Sequence, residues 1–233
     1  MAQGIYTEEN GEYLKNNPTW HVEDSPWKAS QIIKILNRNP INPKSIAEIG
    51  CGAGEILNQL HMSMPNDVSF TGYDISSDAI RLTKAREKER LEFKHENFLE
   101  SNSCFDLLLM IDVFEHVDDY LGFLTISKNK AKNTIFHIPL DISVQAILRN
   151  KLMAERNSCG HLHYFMKETA LATLVDSGYE IVDFFYTAVS LDLPRKTLKS
   201  KIAFLPRKIL FKANKDFAAK MLGGFSLLVL TKN

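Results

Sequence analysis

Four residues of one short stretch, and a fifth further on, could hold a cationic nucleoside. Glu48, Gly50, Gly52 and Gly54 lie in SIAEIGCGAGEI, where three glycines in five positions follow an apolar run. Glycines let a chain turn sharply and let a ligand approach without a Cβ in the way. A dinucleotide fingerprint, G-x-G-x-x-G, would place its third glycine at Glu55, and an acid there opposes a pyrophosphate at a helix N-terminus. A phosphate loop needs Lys-Ser or Lys-Thr after its last glycine, and neither follows. An acid ahead of the loop repels phosphate but suits a ligand carrying an ammonium and a sulfonium. Asp74, in GYDIS, closes the next apolar run, where a carboxylate can accept hydrogen bonds from both ribose hydroxyls.

A second set of residues could move a proton or hold a metal. FDLLLMIDVFEHVDD supplies Asp112, Glu115 and His116, which share one face if a helical turn forms there. GHLHYF supplies His161 and His163, two apart, so one can face a cleft while the other turns away. Three readings stay open. A histidine acts as general base for an oxygen or nitrogen acceptor, its ordinary pKa of about 6.5 suiting proton pickup. Alternatively Asp112, Glu115, His116 and one of His161 or His163 bind a divalent metal that polarises an acceptor hydroxyl. In the third reading the EHV tripeptide is structural, its histidine packed beneath the ligand. Upstream, NPTWHVEDSPW offers Trp20 and His21 as walls for a planar or sugar-like acceptor, with Trp27 read as core.

The elements that must position these residues are legible in the hydrophobic pattern. DSPWKASQIIKILNRN reads as a helix with Pro26 in its first turn. SIAEI, DVSFTGYDI, LEFKHENFL, FDLLLMIDV, NTIFHIPL, YEIVDFFYTAV and GGFSLLVLTK read as strands. Between most of them come the helical patterns GEILNQLHMSM, SSDAIRLTKAREKER, DDYLGFLTISKNK and KETALATLVDSG. FDLLLMIDV is almost wholly apolar, as suits a strand buried on both faces. Alternating strands and helices predict an α/β, doubly wound parallel sheet with helices on both faces. Residues 1–40 are expected to form a helical lid segment and 41–233 the ligand-binding domain, with a basic helical insertion at about 191–224.

Composition narrows the class. The chain has 233 residues, 28 Lys+Arg against 28 Asp+Glu, and 45% hydrophobic residues, so no global charge points to nucleic acid. Three separated cysteines without a C-x-x-C pair fit a reducing compartment. The first residues lack an apolar run, and none of about 20 residues for a membrane span occurs, so a cytoplasmic location is expected. The stretch from Arg195 to Lys215 mixes Leu, Ile and Phe with lysines and arginines. It reads as a solvated insertion, an amphipathic cover over the site, or a peripheral contact with an acidic membrane. It lacks the interleaved stacking aromatics of single-strand nucleic-acid binders.

Glu48 to Gly54, then Gly72-Tyr73-Asp74, then FDLLLMIDVFEHVDD resemble the class I S-adenosylmethionine-dependent methyltransferases, over roughly residues 40–190. The resemblance implies a Rossmann-like mixed sheet of seven strands, the last antiparallel. It also implies S-adenosyl-L-methionine as cofactor, with Gly50, Cys51, Gly52 and Gly54 against its methionine part and Glu48 helping to hold the amino end. It places Asp74 on the ribose, Ile75 against the adenine and Asp112 beside the sulfonium. Asn97 stands where the family often has an acid that meets the adenine amine, and its amide oxygen can accept the same bond. Phe98 would offer its backbone N–H. The metal reading resembles the Glu-x-x-Glu-His pattern of small-RNA 3′-end methyltransferases and ubiquinone-pathway O-methyltransferases, though Asp112 is shorter than their Glu. The resemblance thus implies methyl transfer to a small-molecule acceptor at oxygen, with nitrogen open. Two other classes stay in view: a catalytically silent cofactor-binding subunit and a nicotinamide oxidoreductase.

Overall fold

A computed structural model describes residues 19–20, 22–193 and 198–233, with the backbone alone for 198–201. His21, Arg195 and Lys196 lie outside the described residues. Helix α1 (Ser25–Arg38) has Pro26 in its first turn and buries Ala29, Ile32, Ile35 and Leu36 on one side. Strand β1 (Ser45–Ile49) leads through the glycine loop to α2 (Glu55–Ser63). β2 (Ser69–Asp74), α3 (Ser77–Thr83) and β3 (Leu91–His95) follow, then β4 (Phe105–Ile111), α4 (Tyr120–Lys128) and β5 (Ala131–Pro139). Helices α5 (Val144–Leu148), α6 (Lys151–Cys159) and α7 (Lys167–Asp176) precede β6 (Glu180–Thr187). After a short α8 (Val189–Asp192) come α9 (Leu198–Ala213), α10 (Lys215–Leu222) and β7 (Ser226–Lys232).

The seven strands form one sheet in the order β3-β2-β1-β4-β5-β7-β6, with β7 antiparallel to both neighbours. This is the mixed sheet that the family resemblance implies, whereas alternation alone predicts parallel strands throughout. Alternate residues of the central strands feed opposite faces. Ala47, Ile49, Leu108 and Met110 join Phe98, Phe114 and Phe165 on one side. Ile46, Leu107, Leu109 and Ile111 join Ile32, Ile35, Leu57 and Leu60 on the other. Register then fixes where the polar residues emerge. Glu48 lies beside Gly72 and Leu109, and Ile111 beside His137, so β1, β2, β4 and β5 deliver their carboxyl ends to one edge. The strand order reverses between β1 and β4, which opens a crevice there.

Two local outcomes differ from the sequence pattern. α3 stops at Thr83, because the residues after Ala85 up to Arg90 offer no apolar side chain to bury, and Arg86 turns to Glu55 of α2. α5 and α6 are additional, and α6 buries none of its residues. No helix of the described residues is long and apolar enough to cross a membrane.

Candidate active site

The glycine loop has the shape of a cradle. Gly50, Gly52 and Gly54 all have positive φ. At Gly54 (φ +76°) a β-carbon would overlap the Phe93 ring of β3, so both conformation and space require glycine. At Gly52 a β-carbon would stand 3.5 Å from the Trp20 ring, so Trp20 lies over the loop. Asp74 completes the cradle from the end of β2. Its two carboxylate oxygens accept the backbone N–H groups of Gly52 and Ser76, each at 2.8 Å. Burial raises the Asp74 pKa, with those two amides opposing.

Glu48 lies beneath the loop and is buried, and its Oε2 has no hydrogen-bond partner. Burial drives its carboxyl well above the ordinary range; Asp74 adds to this and Lys28 opposes it. A buried, unpartnered carboxylate oxygen beside a bare loop fits a cationic group of a ligand.

A charged chain crosses the middle of the crevice. Lys28 on α1 contacts Asp112 Oδ2 at 2.9 Å and Asp24 Oδ2 at 3.2 Å. His137 on β5 bonds through Nδ1 to Asp112 Oδ1 at 2.6 Å and through Nε2 to Thr187 Oγ1 at 2.9 Å. Asp112 adopts φ +56° just past β4, which turns its carboxylate toward both partners. Burial opposes charge on Lys28, but Asp112 and Asp24 outweigh it and hold the ammonium above its usual range. Burial likewise opposes charge on Asp112, and His137 with Lys28 keeps it far below the carboxylate range. Among the described residues lining the crevice, Lys28 is the only lysine or arginine.

The third group follows β4. Glu115 is 0% exposed, and neither carboxylate oxygen has a hydrogen-bond partner. Burial, then Asp112, raises its pKa well above the ordinary value. His116 is held neutral: burial, reinforced by His161, lowers its pKa to about 4. The His116 and His161 rings meet edge-on at 4.8 Å. His161 Nδ1 bonds to Asp141 Oδ2 at 2.7 Å. Burial works against charge on His161, but Asp141 prevails and raises its pKa. One ligand atom from each of Glu115, His116 and His161 falls within 4.8 Å of the others. Asp112 and His163 are not in that group. Asp112 is engaged by Lys28 and His137, while His163 Nε2 bonds to the Val117 carbonyl at 2.9 Å with its ring 4.4 Å from Tyr120.

These groups share a cavity of about 720 Å³. Trp20, Glu48, Gly50, Cys51, Gly52, Asp74, Ile75, Asn97, Phe98, Asp112, His116 and His161 line it, whereas Gly54, Glu115 and His163 stand behind its walls. Asn97 spends its side-chain oxygen on the Leu99 N–H at 3.2 Å and its amide on Glu100. Cys51 is buried, and burial raises its thiol pKa. Sequence reasoning missed Lys28, His137, Thr187 and Asp141. The available signals were weak: Lys28 stands four residues after Asp24, and Asp141 two residues beyond the end of β5.

The chain belongs to the methyltransferase-domain family, whose model matches residues 26–183. It is a class I methyltransferase with S-adenosylmethionine as cofactor. No curated protein sequence matches it. Its fold is similar to that of a methyltransferase of Haloferax volcanii solved with the Trm112 activator, with 14% identity, 90% and 91% of the two chains covered and a TM-score of 0.65. It is similar to magnesium protoporphyrin IX methyltransferase of Synechocystis with bound S-adenosylhomocysteine (13% identity, 99% and 92% covered, TM-score 0.59). The cyclopropane synthase MmaA2 of Mycobacterium tuberculosis is also similar (14% identity, 87% and 84% covered, TM-score 0.60).

Proposed function

We infer that the protein transfers a methyl group from S-adenosylmethionine to a hydroxyl of a small-molecule acceptor, with His161 as general base. The observation that carries this reading is that the glycine cradle and His161, held by Asp141, line one cavity. When bound, the cofactor supplies an electrophilic methyl group on a sulfonium. Glu48 would take its ammonium, Lys28 its carboxylate, Asp74 its ribose hydroxyls, and Ile75 with Phe98 its adenine. Asn97 would present its remaining acceptor capacity to the adenine amine. Trp20, ahead of α1, would close the segment before the sheet over the loop. The acceptor would enter beside His116 and His161. Asp141 accepts the Nδ1 proton of His161 and so leaves Nε2 to take the acceptor's proton. Neutral His116 alongside avoids repulsion as His161 becomes charged. Structural relatives named for a porphyrin methyltransferase and a cyclopropane synthase support varied acceptors on this fold and leave the acceptor class to the cavity itself.

Release of S-adenosylhomocysteine is the direct assay, run against panels of hydroxyl and amine acceptors. Turnover with hydroxyl compounds, lost at least a hundredfold in His161→Ala with S-adenosylhomocysteine affinity retained, is the expected outcome. Turnover with amines alone would overturn the oxygen reading.

A second reading has its own observation. Glu115 with two buried oxygens that lack hydrogen-bond partners, neutral His116, and His161 oriented by Asp141 make a donor set for a divalent cation. The ion would polarise the acceptor hydroxyl. Calorimetric titration of chelator-treated protein with zinc, manganese and magnesium should give a single saturable site that Glu115→Gln removes. Absence of binding to all three ions would eliminate it.

A further inference from the structure

Helix α9 is apolar on two sides. Its inner side is anchored: Phe211 stacks on Phe225 at 4.7 Å, and Arg207 donates to the carbonyls of Leu222 and Gly223 at the end of α10. Leu210 and Phe211 pack on the core. The other side faces outward. Ile202, Leu205 and Ile209, at helical spacing, are 71%, 61% and 59% exposed. Lys208 and Lys212, also exposed, border this stripe, and Lys215 follows on α10. Between Asp192 and Asp216 the sequence carries eight lysines and arginines and no acid. Leu148 at the end of α5, 78% exposed, adds apolar surface on a helix that packs against α10.

We propose that the outer face of α9 docks on an anionic lipid bilayer, with Ile202, Leu205 and Ile209 entering the headgroup boundary and Lys208, Lys212 and Lys215 meeting lipid phosphates. Charge complementarity selects this occupant: apolar residues flanked by lysines without acids match an acidic interface. A two-fold pairing with a second copy would set the same lysines against one another. The helix is also tied to the cavity's rim: Arg207 grips the carbonyls of Leu222 and Gly223 just ahead of Ser226, which lines the cavity.

Vesicle flotation tests this without reference to methyl transfer. The full chain should float with phosphatidylcholine–phosphatidylglycerol vesicles at low salt, remain unbound with phosphatidylcholine alone, and detach at high salt. Combining Lys208→Gln, Lys212→Gln and Lys215→Gln should weaken binding on the order of a hundredfold, at roughly fivefold per lysine. Combining Ile202→Ser, Leu205→Ser and Ile209→Ser should abolish flotation while S-adenosylhomocysteine binding, the check on folding, persists. Equal binding to both vesicle types, binding to neither, or undiminished binding by these variants would overturn the proposal. So would a lipid-free dimer that the serine variant dissolves, since a second copy would then cover the stripe.

Discussion

Glu48 lies buried under the glycine loop with Lys28 and Asp74 as its charged neighbours, and that balance sets a pH dependence for ligand binding. In the free protein burial raises its pKa, so it stays protonated above the usual carboxylate range. A cationic ligand favours the ionised form, so binding releases a proton and affinity rises with pH until Glu48 ionises unaided. Calorimetry with S-adenosylhomocysteine should show this rise in the wild type. Glu48→Gln should bind about 10–100-fold more weakly above that range, for want of a charge-assisted hydrogen bond, and with a flatter pH profile. Parallel profiles for the two proteins would remove Glu48 from the ammonium site. Gly54 makes a prediction of its own. Gly54→Ala must hold a left-handed residue against Phe93, at a cost of about 1–3 kcal/mol. Thermal melts should fall by roughly 2–4 °C per kcal/mol; an unchanged melt would show that the loop tolerates a β-carbon.

Strand ends carry both the site and the fold's acid sensitivity. At the edge opposite the cavity, Asp106 at the start of β4 accepts the backbone N–H groups of Lys44 (2.9 Å) and Ser45 (3.2 Å). It also accepts Lys132 Nζ of β5 at 2.7 Å, so one carboxylate ties three strands. Lys132, then the two amides, lowers its pKa to about 2. A folded pKa below the unfolded value of about 3.8 gives stability that is present above pH 3.8 and lost as pH falls through about 2. Partial exposure screens the effect to the order of 1 kcal/mol. Urea melts should find Asp106→Asn less stable at neutral pH, with the gap closing toward about pH 2; a gap that widens in acid contradicts the assignment. The same scale explains what the sequence made legible. FDLLLMIDV read as a doubly buried strand because both faces of β4 meet apolar layers. The loop and Asp74 were readable because their chemistry is local. Lys28 and His137 were not, since only the β4–β5 register and the packing of α1 bring them to Asp112, and Asp141 was not, since it meets His161 only in the fold. The helical pattern from Ser77 onward overran α3 because charged residues continue a helical propensity without supplying a buried face.

At the level of the whole molecule, the segment before the sheet is tied to the crevice at two points, and each carries one of the chain's two tryptophans. Trp20 lies over Gly52. Trp27, on α1, meets the His137 ring edge-on at 6.2 Å and donates its indole N–H to Asp192 of α8 at 3.1 Å. α1 thereby spans from the lysine contact with Asp112 to the far end of β6, and a ligand seated in the cradle lies near Trp20. Intrinsic fluorescence should therefore shift on titration with S-adenosylhomocysteine. Trp20→Phe should remove most of the change, and Trp27→Phe should retain it, because Trp27 lies behind His137 rather than on the cavity wall. Trp20→Phe should also keep affinity within about tenfold, since an aromatic face still covers the loop. A full fluorescence response in Trp20→Phe would mean that the bound ligand does not lie against Trp20.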